Sequence, residues 1–311
     1  MSRRTIVALM GAGIMGAPMA RNIARAGFAI RAWNRTPEKV KALLNEGVSV
    51  CATPFACVAD ADVVILMLST GAVCDEVLFG ADGTQGVAPV LKRGAVVVVM
   101  SSIPVETAQR HAERLKALGC GYVDAPVSGG ERGAIEGNLS IMAGGAEGDL
   151  ARVLPVLSAM GRVTHVGPCG AGQLAKIANQ LIVGVTIGAV AEALLLVEKG
   201  GGDAEAVHRA LQGGFADSTV WRQHGRRMIE RNFKPGAYAH VQLKDLDTAR
   251  DLAASLGLDL RFGALARDLY ARMCETGGAA LDHSALYLEL AEARKTPPNQ
   301  PHALANMTNG S

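Results

Sequence analysis

Several groups of residues in this 311-residue chain have the types and spacing to do chemistry. Gly11-Ala12-Gly13-Ile14-Met15-Gly16 has the spacing G-x-G-x-x-G, directly after an apolar run and ahead of an amphipathic one. Glycines so placed let the chain turn tightly at Gly11, approach a pyrophosphate with its backbone at Gly13, and pack helix against strand at Gly16. The helix N-terminus then faces the phosphate charge. About 20 residues further on, where an acid ordinarily holds the ribose 2′-hydroxyl of NAD, stand Asn34, Arg35 and Thr36. A guanidinium with two small polar groups suits a 2′-phosphate, which predicts NADP(H), with NAD as the weaker alternative.

Asp124-Ala125-Pro126-Val127-Ser128-Gly129-Gly130 follows an apolar run. The Ser128 hydroxyl with the N–H groups of Gly129 and Gly130 makes a nest for a carboxylate, and an ordinary glycine turn explains the same residues equally well. In Gly172-Gln173-Leu174-Ala175-Lys176-Ile177-Ala178-Asn179-Gln180 the residues Lys176, Asn179 and Gln180 stand at i, i+3 and i+4, on one helix face. A lysine within so apolar a helix is costly unless paired or working, and burial lowers its pKa toward a range useful for acid–base chemistry. Lys244-Asp245 reads as an exposed charge pair of little energetic weight. Asp282-His283 reads as a helix start capped by Asp282, not as a catalytic dyad.

These groups need elements to position them. Residues 5–10, 28–33, 62–68, 95–100, 121–124, 139–143 and 163–166 read as strands, and 14–26, 37–45 and 105–118 as helices, the alternation of a parallel α/β sheet. From Gly172 onward helical patterns take over, at 173–199, 204–211, 218–230, 241–256, 262–275 and 283–293. The expected organisation is a dinucleotide-binding domain over 1–167, an all-helical domain over 168–295 and a disordered Pro- and Asn-bearing tail over 296–311.

Composition narrows the function. Apolar residues make up 49% and charged ones 19%, enough to bury a large core and to exclude general disorder. The formal charge of +2 and 4% aromatics give neither an electrostatic footprint nor stacking platforms for nucleic acid. The six cysteines form no C-x-x-C pair and read as reduced thiols of a cytoplasmic protein. The apolar run over 181–197 contains Thr186 and Glu192 and reads as a helix buried on all sides, not as a membrane span. Arg3-Arg4 ahead of the first apolar run reads as a basic start to a buried strand, since Gly11, Gly13 and Gly16 interrupt the run.

Taken together and in order, the motifs resemble the β-hydroxyacid (3-hydroxyisobutyrate) dehydrogenase family over roughly residues 5–293. Gly11 to Ala20 is similar to its cofactor loop, and Asp124 to Gly130 to its substrate loop. Lys176 falls on its catalytic lysine, and Lys244-Asp245-Leu246 on its cofactor-closing segment. Gly213-Gly214-Phe215-Ala216, Arg231 to Gly236 and Asp282 to Ala285 place the resemblance on the branch that handles three-carbon semialdehydes. The resemblance implies a Rossmann domain, an all-helical domain joined to it by a long helix, and a homodimer or homotetramer. It implies hydride exchange between NADP(H) and a small carboxylate-bearing substrate, tartronate semialdehyde going to glycerate. Lys176 is then the proton donor, Asn179 or Gln180 orients it, Ser102 touches the cofactor, and Lys244 closes over it. Three positions depart from relatives: Ala237, with Tyr238 after it, stands where an aromatic often borders the substrate, Val99 replaces an acid, and Ser69 a proline. Other 3-hydroxy acids (3-hydroxyisobutyrate, a threonate, L-serine) or an imine stay open as substrates. A module that binds NADPH without turnover has no need of Lys176.

Overall fold

The computed structural model describes residues 4–81 and 83–292, so the tail expected at 296–311 lies outside them. The chain divides into two compact units, Met1–Val183 with Lys244–Gly263, and Gly184–Leu243 with Ala264–Ser311. Strands give way to helices at 167–171, where the sequence pattern changes. The packing units divide elsewhere: the start of the long helix and the segment 244–263 belong to the same unit as the sheet.

In the first unit β1 (Ile6–Met10), α1 (Gly16–Arg25), β2 (Ala29–Trp33), α2 (Glu38–Lys41), β3 (Val48–Val50), α3 (Pro54–Val58), β4 (Val63–Leu66), α4 (Gly71–Phe79), β5 (Val96–Val99), α5 (Val105–Ala117) and β6 (Gly121–Asp124) alternate. After them come β7 (Val127–Ser128), α6 (Gly130–Glu136), β8 (Leu139–Gly145), α7 (Glu147–Ser158), β9 (Gly161–Gly167) and α8 (Ala171–Lys199). The strands form one sheet in the order β3-β2-β1-β4-β5-β6-β8-β7, with β9 against β8. The six from β3 to β6 are parallel, and β8 runs antiparallel to β6 and β7. The order 3-2-1-4-5-6 is that of the doubly wound dinucleotide-binding fold, and its direction reverses between β1 and β4.

The strand sequences explain the layering. Val63-Val64-Ile65-Leu66 and Val96-Val97-Val98-Val99 are apolar at every position because both faces are covered. Val63, Ile65, Val96 and Val98 pack with Met19 and Ile23 of α1 and with Val153 and Leu157 of α7. Val64, Leu66, Val97 and Val99 pack with Val58 of α3, Leu78 of α4 and Leu115 of α5. The structure adds elements that sequence periodicity did not mark. β3 and β7 are too short to show alternation, α3 is five residues long, and α7 holds Pro155 within it. The helix expected over 37–45 is confined to Glu38–Lys41, with turns after it.

The second unit holds the end of α8, then α9 (Ala204–Ala210), α10 (Arg226–Ile229), the start of α11 (Ala239–Ser255), most of α12 (Arg261–Glu275) and α13 (Leu286–Glu292). The helix expected over 218–230 contains a wide π-turn at Trp221–Gly225. There the Trp221 ring stacks on His208, its Nε1 donates to the His208 carbonyl, and Gly225 lies against the His208 ring. Asp282 caps the turn His283–Ala285 by accepting from the Ser284 N–H at 3.1 Å and the Ser284 hydroxyl at 2.6 Å. Its other oxygen accepts from the Gly236 N–H at 2.8 Å. That is the capping role expected of it.

One expectation for α8 is corrected. The helix is long and apolar enough to cross a membrane, but it is not buried on all sides: Ile182 and Leu196 are 66% and 70% exposed, and Leu174 49%. Its apolar residues run around both faces, and among the described residues one of these faces stays exposed.

His111 gives the first unit a pH dependence. It is fully buried, bonded through Nε2 to Asp75 Oδ1 at 2.9 Å, and set between Phe79 and Tyr122. Burial holds its pKa below the ordinary histidine value, outweighing the attraction of Asp75. The unfolded chain therefore takes up this proton first, and stability is held above about pH 6.5 and lost as the pH falls below it. Denaturant unfolding at several pH values is expected to show stability declining from pH 6.5 toward 5. His111→Gln is expected to flatten that slope.

Candidate active site

Gly11 lies at the switch point between β1 and β4 with φ of +102°, and a Cβ there would stand 2.2 Å from the Met67 carbonyl oxygen. A Cβ on Gly16 would stand 1.8 Å from the Gly11 carbonyl, so both positions are closed to any side chain. Gly13 is different: a Cβ there meets nothing within 4 Å. No intramolecular contact requires glycine at that point, and the room is open to a ligand approaching the backbone. This is the fit a dinucleotide pyrophosphate needs. Ala12, Gly13 and Ile14 line an open cavity of about 320 Å³ with Arg21, Lys39 and Glu131, while Met15 directly precedes α1. Arg21 pairs with Glu46, whereas Lys39 has no ion pair among the described residues.

Asn34 has a structural role that its type did not reveal. Its Oδ1 accepts from the Ala12 N–H at 3.0 Å and its Nδ2 donates to the Thr36 carbonyl at 3.0 Å. The side chain thus holds the glycine loop against the end of β2. Arg35 and Thr36 are exposed beside it, and Arg35 makes no hydrogen bond or ion pair among the described residues. Lys39, which the sequence reading did not single out, adds a second cation on the same turn-and-helix segment. Its spacing four residues after Arg35 was the available signal.

The lysine site is assembled from three segments of the first unit. Lys176, Asn179 and Gln180 lie on α8 as their spacing requires. Lys176 Nζ and Asn179 Nδ2 each donate to Gln180 Oε1 at 2.9 Å. Gln180 Nε2 donates to Asp245 Oδ2 at 2.6 Å, and Lys244 Nζ pairs with Asp245 Oδ1 at 2.9 Å. Lys244 Nζ also reaches the Ser102 carbonyl at 3.3 Å. Ser102, Ile103, Gln173, Lys176, Ile177, Gln180, Asp245 and Thr248 enclose a cavity of about 10 Å³, the volume one water-sized group occupies. Lys176 is half-buried as a residue, yet protein surrounds it closely enough that desolvation lowers its pKa to about 8; Asp245 opposes the shift and Lys244 adds to it.

Lys244-Asp245 is therefore not the exposed pair its sequence suggested. Asp245 is 6% exposed and sits inside α11. A signal was present: Gln242, Leu246, Ala249 and Ala253 form the buried stripe of α11, and Asp245 falls on it.

Two residues missed by sequence reasoning hold the start of α8. Asp124, fully buried at the end of β6, accepts from the Gly170 N–H at 2.7 Å and the Gln173 N–H at 2.8 Å. Burial raises its pKa, and these N–H donors oppose the rise. Gln173 donates to the Ser101 carbonyl at 2.9 Å and accepts from the Ile103 N–H at 3.1 Å, which joins α8 to the segment after β5. Ser128 ends β7, and Gly129 and Gly130 follow with φ of +133° and +61° at the start of α6. They do not line the cavity at Lys176. Of the predicted site residues, the structure gathers Lys176, Asn179, Gln180, Ser102 and Lys244 in one network and the glycine loop with Asn34 in another.

Comparison with known proteins identifies the family. Residues 6–167 match the model of the NAD binding domain of 6-phosphogluconate dehydrogenase. Residues 170–290 match that of the NAD-binding of NADP-dependent 3-hydroxyisobutyrate dehydrogenase. The 2-hydroxy-3-oxopropionate reductase of Escherichia coli is 43% identical over 89% of this chain and 94% of its own length. The crystal structure of 3-hydroxyisobutyrate dehydrogenase from Salmonella typhimurium is similar with a TM-score of 0.83, at 30% identity over 91% of this chain and 99% of that one. A Mycobacterium tuberculosis 3-hydroxyisobutyrate dehydrogenase solved with L-serine gives 0.81, at 33% identity over 93% and 99%. With matches running in order through both parts of the sequence, the chain belongs to the 3-hydroxyisobutyrate dehydrogenase family, hydroxyacid oxidoreductases that work with a nicotinamide dinucleotide.

Proposed function

We propose that this chain interconverts tartronate semialdehyde and glycerate, with NADPH preferred to NADH, as a cytoplasmic homodimer or homotetramer. The observation that carries the reading is Lys176, an amine lining a small cavity with its pKa brought to about 8 by burial. The substrate follows the Escherichia coli relative, a 2-hydroxy-3-oxopropionate reductase at 43% identity. The exposed apolar residues of α8, Ile182 and Leu196 among them, support self-association.

The dinucleotide, when bound, supplies the hydride to the aldehyde carbon. Gly11, Ala12, Gly13, Ile14, Met15 and Gly16 would hold its pyrophosphate, Arg35, Thr36 and Lys39 its 2′-phosphate, and Ser102 and Lys244 its nicotinamide end. Lys176 polarises the carbonyl and gives its proton to the oxygen as negative charge develops there. Below pH 8 the amine is mostly protonated and ready to donate; in the oxidative direction the neutral amine takes the proton back. Gln180 and Asn179 fix where the amine points. Ser128 with the N–H groups of Gly129 and Gly130 takes the substrate carboxylate.

Lys176→Ala is expected to lose about 10²–10⁴-fold in kcat while dinucleotide affinity and Tm change little. Lys176→Arg is expected to be nearly as damaging, because a guanidinium does not release its proton at working pH. In the wild type, kcat/KM for reduction is expected to hold below about pH 8 and fall above it, with the oxidative profile rising through the same range. Steady-state kinetics against pH on folded, dinucleotide-binding preparations checks both; turnover by Lys176→Ala within a few-fold of wild type defeats the assignment.

Arg35→Asp is expected to raise KM for NADPH about tenfold or more and to move preference toward NADH, about 1.4 kcal/mol of discrimination. A wild type that strongly prefers NADH contradicts the cofactor reading. Gly13→Ala separates binding from folding, since its new Cβ meets no protein atom within 4 Å. Unfolding free energy is expected to stay within about 0.5 kcal/mol while dinucleotide affinity by fluorescence titration drops.

A further inference from the structure

The charges acting on the Lys176 amine both come from α11, the Asp245 carboxylate and the Lys244 ammonium. The remaining walls of its cavity, Ser102 and Ile103 after β5 and Thr248 on α11, carry none. A lysine and a buried carboxylate in one small enclosure ordinarily pair directly, because a low local dielectric strengthens their attraction. Among the described residues these two make no ion pair.

Gln180 stands between them. Its Oε1 accepts from Lys176 Nζ at 2.9 Å, and its Nε2 donates to Asp245 Oδ2 at 2.6 Å. An amide suits this place because one end accepts from a cation while the other donates to an anion. The donor-only ammonium of Lys176 and the acceptor-only carboxylate of Asp245 fix which end faces the lysine, and Asn179 Nδ2 donates to the same Oε1 at 2.9 Å. The second carboxylate oxygen is taken by Lys244 at 2.9 Å, and Lys244 is itself tied to the Ser102 carbonyl. Both oxygens of Asp245 are thus engaged before Lys176 reaches them.

We propose that Gln180 is a positioning residue that keeps Asp245 from pairing with Lys176, with Lys244 as the counter-ion of the carboxylate, so that the Lys176 amine remains available to a substrate oxygen. Its catalytic consequence rests on the reading of Lys176 as proton donor; the electrostatic arrangement itself does not.

A double-mutant cycle tests it. The protonation midpoint of Lys176 is read by competitive labelling with acetic anhydride across pH and peptide mass spectrometry, a measurement independent of turnover. Gln180→Met removes both amide bonds at similar volume and lets Asp245 approach the amine. The Lys176 midpoint is expected to rise by about one pH unit or more, the size of shift an opposite charge at close range gives. Asp245→Asn is expected to lower the midpoint by more in the Gln180→Met background than in the wild type. Gln180→Leu serves as the same arm should Gln180→Met fail to fold. An unchanged midpoint in the Gln180 variant, or an equal effect of Asp245→Asn in both backgrounds, overturns the proposal. If the labelling midpoints move as expected but the alkaline limb of kcat/KM does not follow them, the spacer role stands and the proton-donor reading of Lys176 falls.

Discussion

The geometry around Lys176 depends on a buried carboxylate at the end of a strand. Asp124 closes β6 and accepts from the N–H groups of Gly170, just before α8, and Gln173, in its first turn. Hydrogen bonds to a charged acceptor contribute about 1.5–3 kcal/mol each, and a negative charge at a helix N-terminus is further favoured by the helix dipole. The contact is close because glycine stands on both sides of it. A Cβ on Gly172 would lie 2.4 Å from the Met142 carbonyl, and one on Gly144 would lie 2.6 Å from the Gly172 nitrogen. Gln173 then ties the same helical turn to Ser101 and Ile103. Lys176 is one turn further along, so its position is set by the sheet and not by the conformational freedom of a loop.

From there the electrostatics follow in order of size. Desolvation is the largest influence on Lys176 and acts against its charged form. Asp245 restores part of that charge stability, and Lys244 takes part of it away. A direct pairing of Lys176 with Asp245 would give a stable ammonium slow to release a proton. The arrangement with Gln180 leaves the amine hydrogen-bonded and near its working range instead.

The glycine loop is organised by the same kind of commitment. Gly11 and Gly16 are required by the protein's own packing, since a side chain at either would strike backbone. Gly13 is required by nothing within the described protein, and it is the position whose backbone a ligand would approach. Asn34 couples this loop to the end of β2 through Ala12, so the turn carrying Arg35 and Thr36 is held beside it.

The sequence by itself determined the parts that rest on local pattern. The glycine spacing after an apolar run, the all-apolar strands with β-branched residues, and the i, i+3, i+4 face of Lys176, Asn179 and Gln180 each depend on near neighbours, and the structure has all of them. Only the tertiary structure decided which charged residues come inside. Asp245 is 65 residues from Gln180 and 69 from Lys176 in sequence, and Asp124 is 49 from Gln173. Neither partner's local sequence states that it will be buried against the other. A carboxylate beside a lysine looks like a solvated pair until packing removes the water, and the sequence of an Asn beside an Arg does not show that it accepts from a backbone N–H of another strand's loop. Burial and long-range hydrogen bonding are properties of the assembled fold, and they assigned Asp124, Asp245 and Asn34 their roles.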